Sequence, residues 1–406
     1  MNPSDGCSRS GTACAVRERR YELDLLRIVA IALVVGLHLS SQAVESSAPG
    51  TAVHAVCSTV SVFCSVCINL FILLSSYFLC KSRFSFVHWF RLWFEVMVYG
   101  FVLVTFITLR LFSPFGGDPA AIPYHPFWES FAALFPLSSS QYWFFNVYTV
   151  FFFLSPFLAK LVRALTRKQH FLLVLVFLWF GSFGTELAQW FAKDAFRFGM
   201  GYRVLWFIAL FFCGSYLRFY GSDEPSRKKF FAGLGGYLLS MSCLSLWTLW
   251  FEAHSFHPFG YPVTDTHLHY NQPFTVIGSF CLFYAFVHLS IRNAALQNVI
   301  RWGARHSFAV YLIHSNFYFS MYYIAAFSPL QNIQDRSVPA VLTMLTAYWL
   351  VVILGCMLVD TCRTAVFRLL RLDRLVDRCG EWIYRMLSAA ADSLFALSQR
   401  TETHEV

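Results

Sequence analysis

Ionisable side chains inside long apolar runs are the residues to read first, because a charge in hydrocarbon is costly and such positions are functional candidates by default. The first run is YELDLLRIVAIALVVGLHLS, which carries Arg27 and His38 eleven residues apart. On a helix that spacing puts both side chains on nearly the same face, with about 16 Å of rise between them. An imidazole gains and loses a proton near neutral pH and suits a general base. A guanidinium stays charged and grips phosphates or carboxylates with paired hydrogen bonds. One polar stripe would therefore run up an otherwise apolar helix. The bland alternatives are a helix–helix hydrogen bond for His38 and snorkelling to headgroups for Arg27. Asp24, three residues before Arg27, is spaced to orient that arginine.

Three further segments carry similar residues. In HWFRLWFEVMVY, Arg91 and Glu95 are four apart and could pair on one helix face, or Arg91 could reach a bound phosphate. Glu95 lies deeper and needs a partner. His314 ends the stretch RHSFAVYLIH, with Tyr311 close by on the same face; packing and proton transfer are both open to it. Trp143 and Tyr148 read most simply as belt and bundle residues, and Pro156 is expected to kink its helix. The loop around residues 252–270 holds His254, His257, His267, His269 and Asp265. Histidines are common metal ligands, but an interfacial loop accounts for these and no metal site is expected. Cys64 and Cys67 have zinc-like spacing without a second pair, so they read as small apolar side chains.

Composition says what must hold these residues. Only 13% of the 406 residues are charged and 57% are hydrophobic, with 46 Phe and 12 Trp. Soluble domains carry about 25% charged residues, so this chain cannot build a water-exposed surface throughout. Ten apolar segments are expected to cross a membrane: 23–43, 55–80, 88–112, 141–162, 170–190, 202–220, 230–251, 271–291, 306–327 and 338–360. In lipid each must satisfy its own backbone hydrogen bonds, which makes them helices. The fold class is an all-α, polytopic transmembrane bundle in the cell membrane. Residues 1–20 are expected to form a flexible tail and 21–360 the membrane domain. Residues 361–406, where Arg368, Arg371, Arg374 and Arg378 alternate with leucines, read as an amphipathic tail lying on the inner leaflet.

The 31 basic residues orient the bundle. All fall in the tails and alternate loops of one side except Arg110, Lys193, Arg197, Arg203 and Arg336. The positive-inside rule makes the basic side cytoplasmic and puts both termini there. The net charge of +9 is thus a topology signal. It is not a nucleic-acid footprint, since no basic surface interleaved with aromatics lies outside the membrane.

Five segments in this order resemble the membrane-bound acyltransferase 3 family. They are LDLLRIVAIALVVGLH, NLFILLSSYFLCKSRFSFVHWFRLW, QYWFFNVYTVFFFLSPFLAKLV, YNQPFTVIGSFCLFYAF and GARHSFAVYLIH. The family's arginine–histidine pair of the first helix falls on Arg27 and His38. Its arginine near the start of the third helix falls on Arg91, and its ninth-span histidine on His314. The family's Ser-Gly-Tyr at the end of the second span is here Ser75, Ser76 and Tyr77, with a serine for the conformationally permissive residue.

The resemblance implies an O-acyltransferase that moves an acyl group, expected to be acetyl, to a hydroxyl of a lipid-linked or surface glycan. The donor would be acetyl-CoA or another short acyl-CoA, and membrane lipids would surround the protein. His38 and His314 are then the catalytic candidates, and Arg27 and Arg91 the candidates for holding coenzyme A phosphates. A transporter or flippase of a lipid-linked glycan precursor is the rival reading, since it would use the same buried charges as a permeation path.

Overall fold

The computed structural model describes residues 19–108, 126–139, 141–189, 195–254, 269–320 and 328–402, and the regular structure among them is helical. In chain order the helices are α1 Tyr21–Glu45, α2 Ala52–Cys64, α3 Cys67–Leu79, α4 Phe86–Thr108, α5 Pro126–Ala133, α6 Trp143–Ala164, α7 Arg167–Leu178, α8 Gly184–Gln189, α9 Val204–Tyr220, α10 Arg227–His254, α11 Pro273–Val287, α12 Ala294–His314, α13 Phe317–Phe319, α14 Val338–Leu369 and α15 Leu372–Glu402. Their starts follow local chemistry. Thr51, Gln272 and Asn293 accept hydrogen bonds from the first-turn amides of α2, α11 and α12, and Thr166 with Gln169 forms a capping box on α7.

Among the described residues seven helical stretches are long and apolar enough to cross a membrane: Tyr21–Glu45, Ala52–Leu79, Phe86–Phe106, Trp143–Ala164, Arg167–Ala188, Arg227–His254 and Val338–Leu369. Val204–Tyr220 and Pro273–Val287 are shorter apolar helices. The chain is a polytopic membrane helix bundle. One expected span differs. The segment 306–327 is not a continuous helix, because α12 begins at Ala294 and stops at His314. Asn316 then starts a new turn by accepting from the Phe319 amide. Side-chain capping competes with helix continuation there. The final span also runs past residue 360 to Leu369. Arg371, in the left-handed region at φ 54°, turns the chain into α15.

The loops expected on one side do meet at one end of the bundle. Arg20 donates to the Val287 carbonyl at 3.2 Å, Arg163 to the Cys80 carbonyl at 2.8 Å and Arg301 to the Tyr21 hydroxyl at 2.8 Å. These contacts join the start of α1 to the end of α11 and to the first half of α12, and the end of α6 to that of α3.

Helix α1 runs through the middle, packing on α2, α3, α11, α12 and α14. Gly36 lets α14 approach: the Trp349 indole covers it, 2.3 Å from where a Cβ would stand, and donates to the Ala32 carbonyl at 2.7 Å. Asn69, fully buried in α3, donates to the Tyr270 carbonyl at 2.7 Å and accepts from the Trp206 indole at 2.9 Å. Such polar glue ties helices where lipid offers no water.

The serine at position 76 is accommodated from the opposite helix. A Cβ on Gly214 of α9 would stand 2.7 Å from the Ser76 Cβ and 3.0 Å from the Leu73 carbonyl oxygen, while the Ser76 hydroxyl donates back to Ile72. The space for close approach is thus supplied by α9. Gly214→Ala is expected to destabilise the protein by about 1–3 kcal/mol through overpacking. Adding Ser76→Gly should recover part of that loss, as a double-mutant cycle of melting temperatures in detergent would measure. Strictly additive effects would reject the contact.

Candidate active site

His38 is accessible to water-sized molecules, although protein surrounds it on nearly every side and its neighbours Val35, Gly36, Leu39 and Ser40 are buried. A side chain exposed among buried neighbours faces an opening in the helix packing. Its ring centroid lies 5.1 Å from that of His314, the two planes tilted by 42°. Among the described residues the His38 imidazole makes no hydrogen bond, so both of its nitrogens remain open to a substrate.

His314 is held differently. It is buried at the last position of α12, with Nδ1 2.5 Å from the Val310 carbonyl oxygen. A carbonyl only accepts, so Nδ1 carries the proton and, in the neutral ring, Nε2 keeps the lone pair. The Ser315 hydroxyl lies 3.2 Å from Nε2. The break that follows is clamped: Asn316 donates to the Tyr142 hydroxyl at 3.0 Å, and that hydroxyl donates to the Leu312 carbonyl at 2.9 Å. Tyr311 belongs to the aromatic wall here, its ring centroid 5.8 Å from Tyr142 and 5.7 Å from Phe144. His314 thus sits at a broken helix end, the kind of irregular backbone that membrane proteins tolerate where it is buried or lines a cavity.

Arg27 lies lower on the same helix. Asp24 accepts from it at 3.0 Å and from Arg19 at 2.6 Å, so the carboxylate does orient the guanidinium. The Arg27 charge also acts on Tyr148 of α6 and His88 of α4, and Tyr148 interacts with Ser75. His88 is exposed and Tyr148 half-buried. Sequence reasoning read Tyr148 as a belt residue and passed over His88.

The structure keeps Arg27 and His38 on one helix and sets His314 against His38, while Arg91 on α4 turns to α15. Arg91 is exposed, and its Nε donates to Asp377 of α15. The expected Arg91–Glu95 pair is not formed. Glu95 instead accepts from Arg363 at 3.0 Å, and Arg363 also donates to Asp360 at 2.6 Å. Asp360, fully buried, is 2.5 Å from Nδ1 of His306 and accepts from the Tyr99 hydroxyl at 2.7 Å. This ionic network joins α4, α12 and α14. Its members come from three separate stretches of the chain, and the signals in the sequence are Glu95, a deep carboxylate that needs a partner, and the aspartate that ends the apolar run VVILGCMLVD.

The other candidates fall away from these residues. Cys64 and Cys67 are buried free thiols on either side of the α2–α3 break. His254 stacks on Trp250 at 4.7 Å, while His257, Asp265 and His267 lie outside the described residues. Among the described residues no group of three or more His, Cys, Asp or Glu could hold a metal ion.

The family model described as an acyltransferase domain matches residues 20–360. The chain belongs to this acyltransferase family. No curated protein matches it, and no solved structure does. The matched region of this acyltransferase begins just before α1 and ends on Asp360, so it includes His38, His314, Arg27 and Arg91, but not Arg363 or α15.

Arg363 is the single cation shared by Glu95 and Asp360, and removing one partner of a buried pair leaves an uncompensated charge. Arg363→Met is expected to cost about 3–5 kcal/mol, seen as lost monodisperse protein and a lower melting temperature. The triple variant Arg363→Met, Glu95→Gln, Asp360→Asn should regain much of it. Equal stability of wild type and Arg363→Met would reject the network's structural role.

Proposed function

We propose that this acyltransferase moves an acyl group, acetyl in the simplest case, from acyl-CoA to a hydroxyl of a lipid-linked or cell-surface glycan. The observation that carries the reading is the contact between the exposed His38 imidazole and the buried His314 imidazole, 5.1 Å apart between ring centroids, with Arg27 lower on the helix of His38. The basic end of the bundle would face the cytoplasm, so the donor would arrive from that side with its phosphates against Arg27. The rise from Arg27 to His38 is about 16 Å, a span suited to an extended pantetheine arm.

In the simplest mechanism an imidazole takes the proton of the acceptor hydroxyl as its oxygen attacks the thioester carbonyl. The carbon–sulfur bond breaks, and the departing thiolate takes that proton, so no net proton is released. His38 is the candidate base because its nitrogens are unengaged. His38 could instead attack the thioester and carry the acyl group toward an acceptor on the far side, its own N–H proton passing to the thiolate. His314, with Nε2 unprotonated in the neutral ring, would orient the acceptor or share the proton. Tyr148 and His88 would line the donor's approach.

In vesicles fed labelled acyl-CoA, the enzyme should release free thiol and label a glycan, whereas a flippase of a glycan precursor should do neither. His38→Ala, at wild-type expression, is expected to lower turnover by about a hundredfold or more, the usual scale of general base catalysis. Near wild-type turnover would sink its catalytic role.

The two arginines should separate in donor titrations. Arg27→Ala is expected to raise the KM for acyl-CoA about tenfold, the scale of one charge-assisted hydrogen bond. Arg91→Ala should raise it less, because Arg91 is turned to Asp377 of α15 and does not share the helix that carries His38. A donor dependence unchanged in Arg91→Ala would reject phosphate binding by that residue.

A further inference from the structure

Beside Arg27, two joined cavities occupy the basic end of the bundle. One, of about 380 Å³, is lined by Arg19, Arg20, Asp24, Tyr77, Arg218 and Asp223. The other, of about 540 Å³, shares Arg19, Arg20 and Asp223 and continues to Ser290 and Arg292. Asp223 is the centre of the first. It accepts from the Tyr77 hydroxyl at 2.6 Å, from Arg218 at 2.6 Å and from Arg20 at 3.1 Å. Burial alone would raise the Asp223 carboxyl, but Tyr77, Arg20 and Arg218 outweigh it and hold the group below its ordinary value. The knot is therefore ionised at neutral pH.

Its charges do not balance. Arg19, Arg20, Arg218 and Arg292 face Glu22, Asp24 and Asp223 across the two cavities, and Asp24 also serves Arg27. Arg292 is exposed and has no ion pair among the described residues. The Nε–H of Arg218 is buried with no hydrogen-bond partner, although an unmade buried donor is costly. Tyr77 lies beneath that guanidinium, 4.8 Å from its ring centroid, which fixes the plane of the fork. Several guanidiniums around one opening, one of them exposed and without an ion pair among the described residues, and room for a compact oxyanion are the requirements of phosphate recognition.

We infer that these joined cavities are a phosphate-binding site, separated from Arg27 only by Asp24. Where the phosphate belongs to the nucleotide end of the acyl donor, the inference rests on the proposed function. An anionic phospholipid headgroup offers the same chemistry.

The full chain in nanodiscs of zwitterionic lipid is titrated with the phosphorylated ADP moiety of coenzyme A, and with adenosine as the phosphate-free control. The nucleotide should bind and adenosine should not. Arg292→Gln combined with Arg218→Lys should weaken it by about tenfold or more, the loss of one charge-assisted contact. Arg292→Gln alone, a change at an exposed side chain, should weaken it in a protein of unaltered melting temperature. In a second arm, nanodiscs containing phosphatidylglycerol replace the nucleotide. Thermal stabilisation of wild type but not of the double variant, without nucleotide binding, assigns the site to lipid phosphate. Ligand responses identical in wild type and both variants, or absent from both arms, overturn the site. Variant-sensitive nucleotide binding without acyl transfer would leave the site standing and remove the proposed function. Acyl transfer with unaltered donor KM and nucleotide affinity in the variants would do the reverse.

Discussion

A charged side chain taken out of water must find a partner or a route back to water, and this cost organises the bundle. Two ionic clusters answer it by reaching across helices. Asp360 draws His306, Tyr99 and Arg363 together, and Arg363 draws in Glu95. Asp223 does the same for Tyr77, Arg20 and Arg218. These pairings determine which helices adjoin at the basic end more firmly than apolar contact can, because Phe and Leu pack on lipid nearly as well as on each other. His38 has no such partner. Its exception is coherent only because it faces an opening in the helix packing, where a solvated imidazole need not be neutralised by protein.

His38 and His314 reach each other by opposite means. His38 projects from an unbroken central helix, with its height set by helical rise. His314 lies where α12 ends, and the ending is enforced by Asn316 and Tyr142. A rigid helix and a clamped helix end together fix the ring separation without loop motion, which suits the preorganisation that catalysis demands. The tautomer of His314 follows from the same break, since the Val310 carbonyl receives its Nδ1 proton in the last turn.

Helix α15 adds a constraint from outside the matched family region. Phe86 and Phe90 of α4 pack with Val376 of α15, and the Asp377 carboxylate engages Arg91. The residue whose type and spacing best fitted phosphate binding on α4 is thus partly satisfied by the chain's own C-terminal helix. Arg27 is likewise engaged, by Asp24, but within its own helix, the one that carries His38.

Apolar length and the one-sided distribution of Lys and Arg were enough to read a helical membrane bundle and to say which loops share an end, because hydrocarbon admits few backbone solutions and because charge bias is local to each loop. The Arg27–His38 stripe was legible for the same reason: helical geometry alone relates residues on one helix. Everything that depends on a second helix was not legible. Spacing suggested Arg91 for Glu95, whereas Arg363 of α14 takes it, since a partner in a fold is chosen by proximity in space. Spacing also suggested an uninterrupted span through His314, whereas capping by Asn316 and the hydroxyl of Tyr142 ended α12 there. Sequence determined the stripe; only the tertiary structure decided that His314 would face it, because ring-to-ring contact between α1 and α12 is a property of packing and not of either helix.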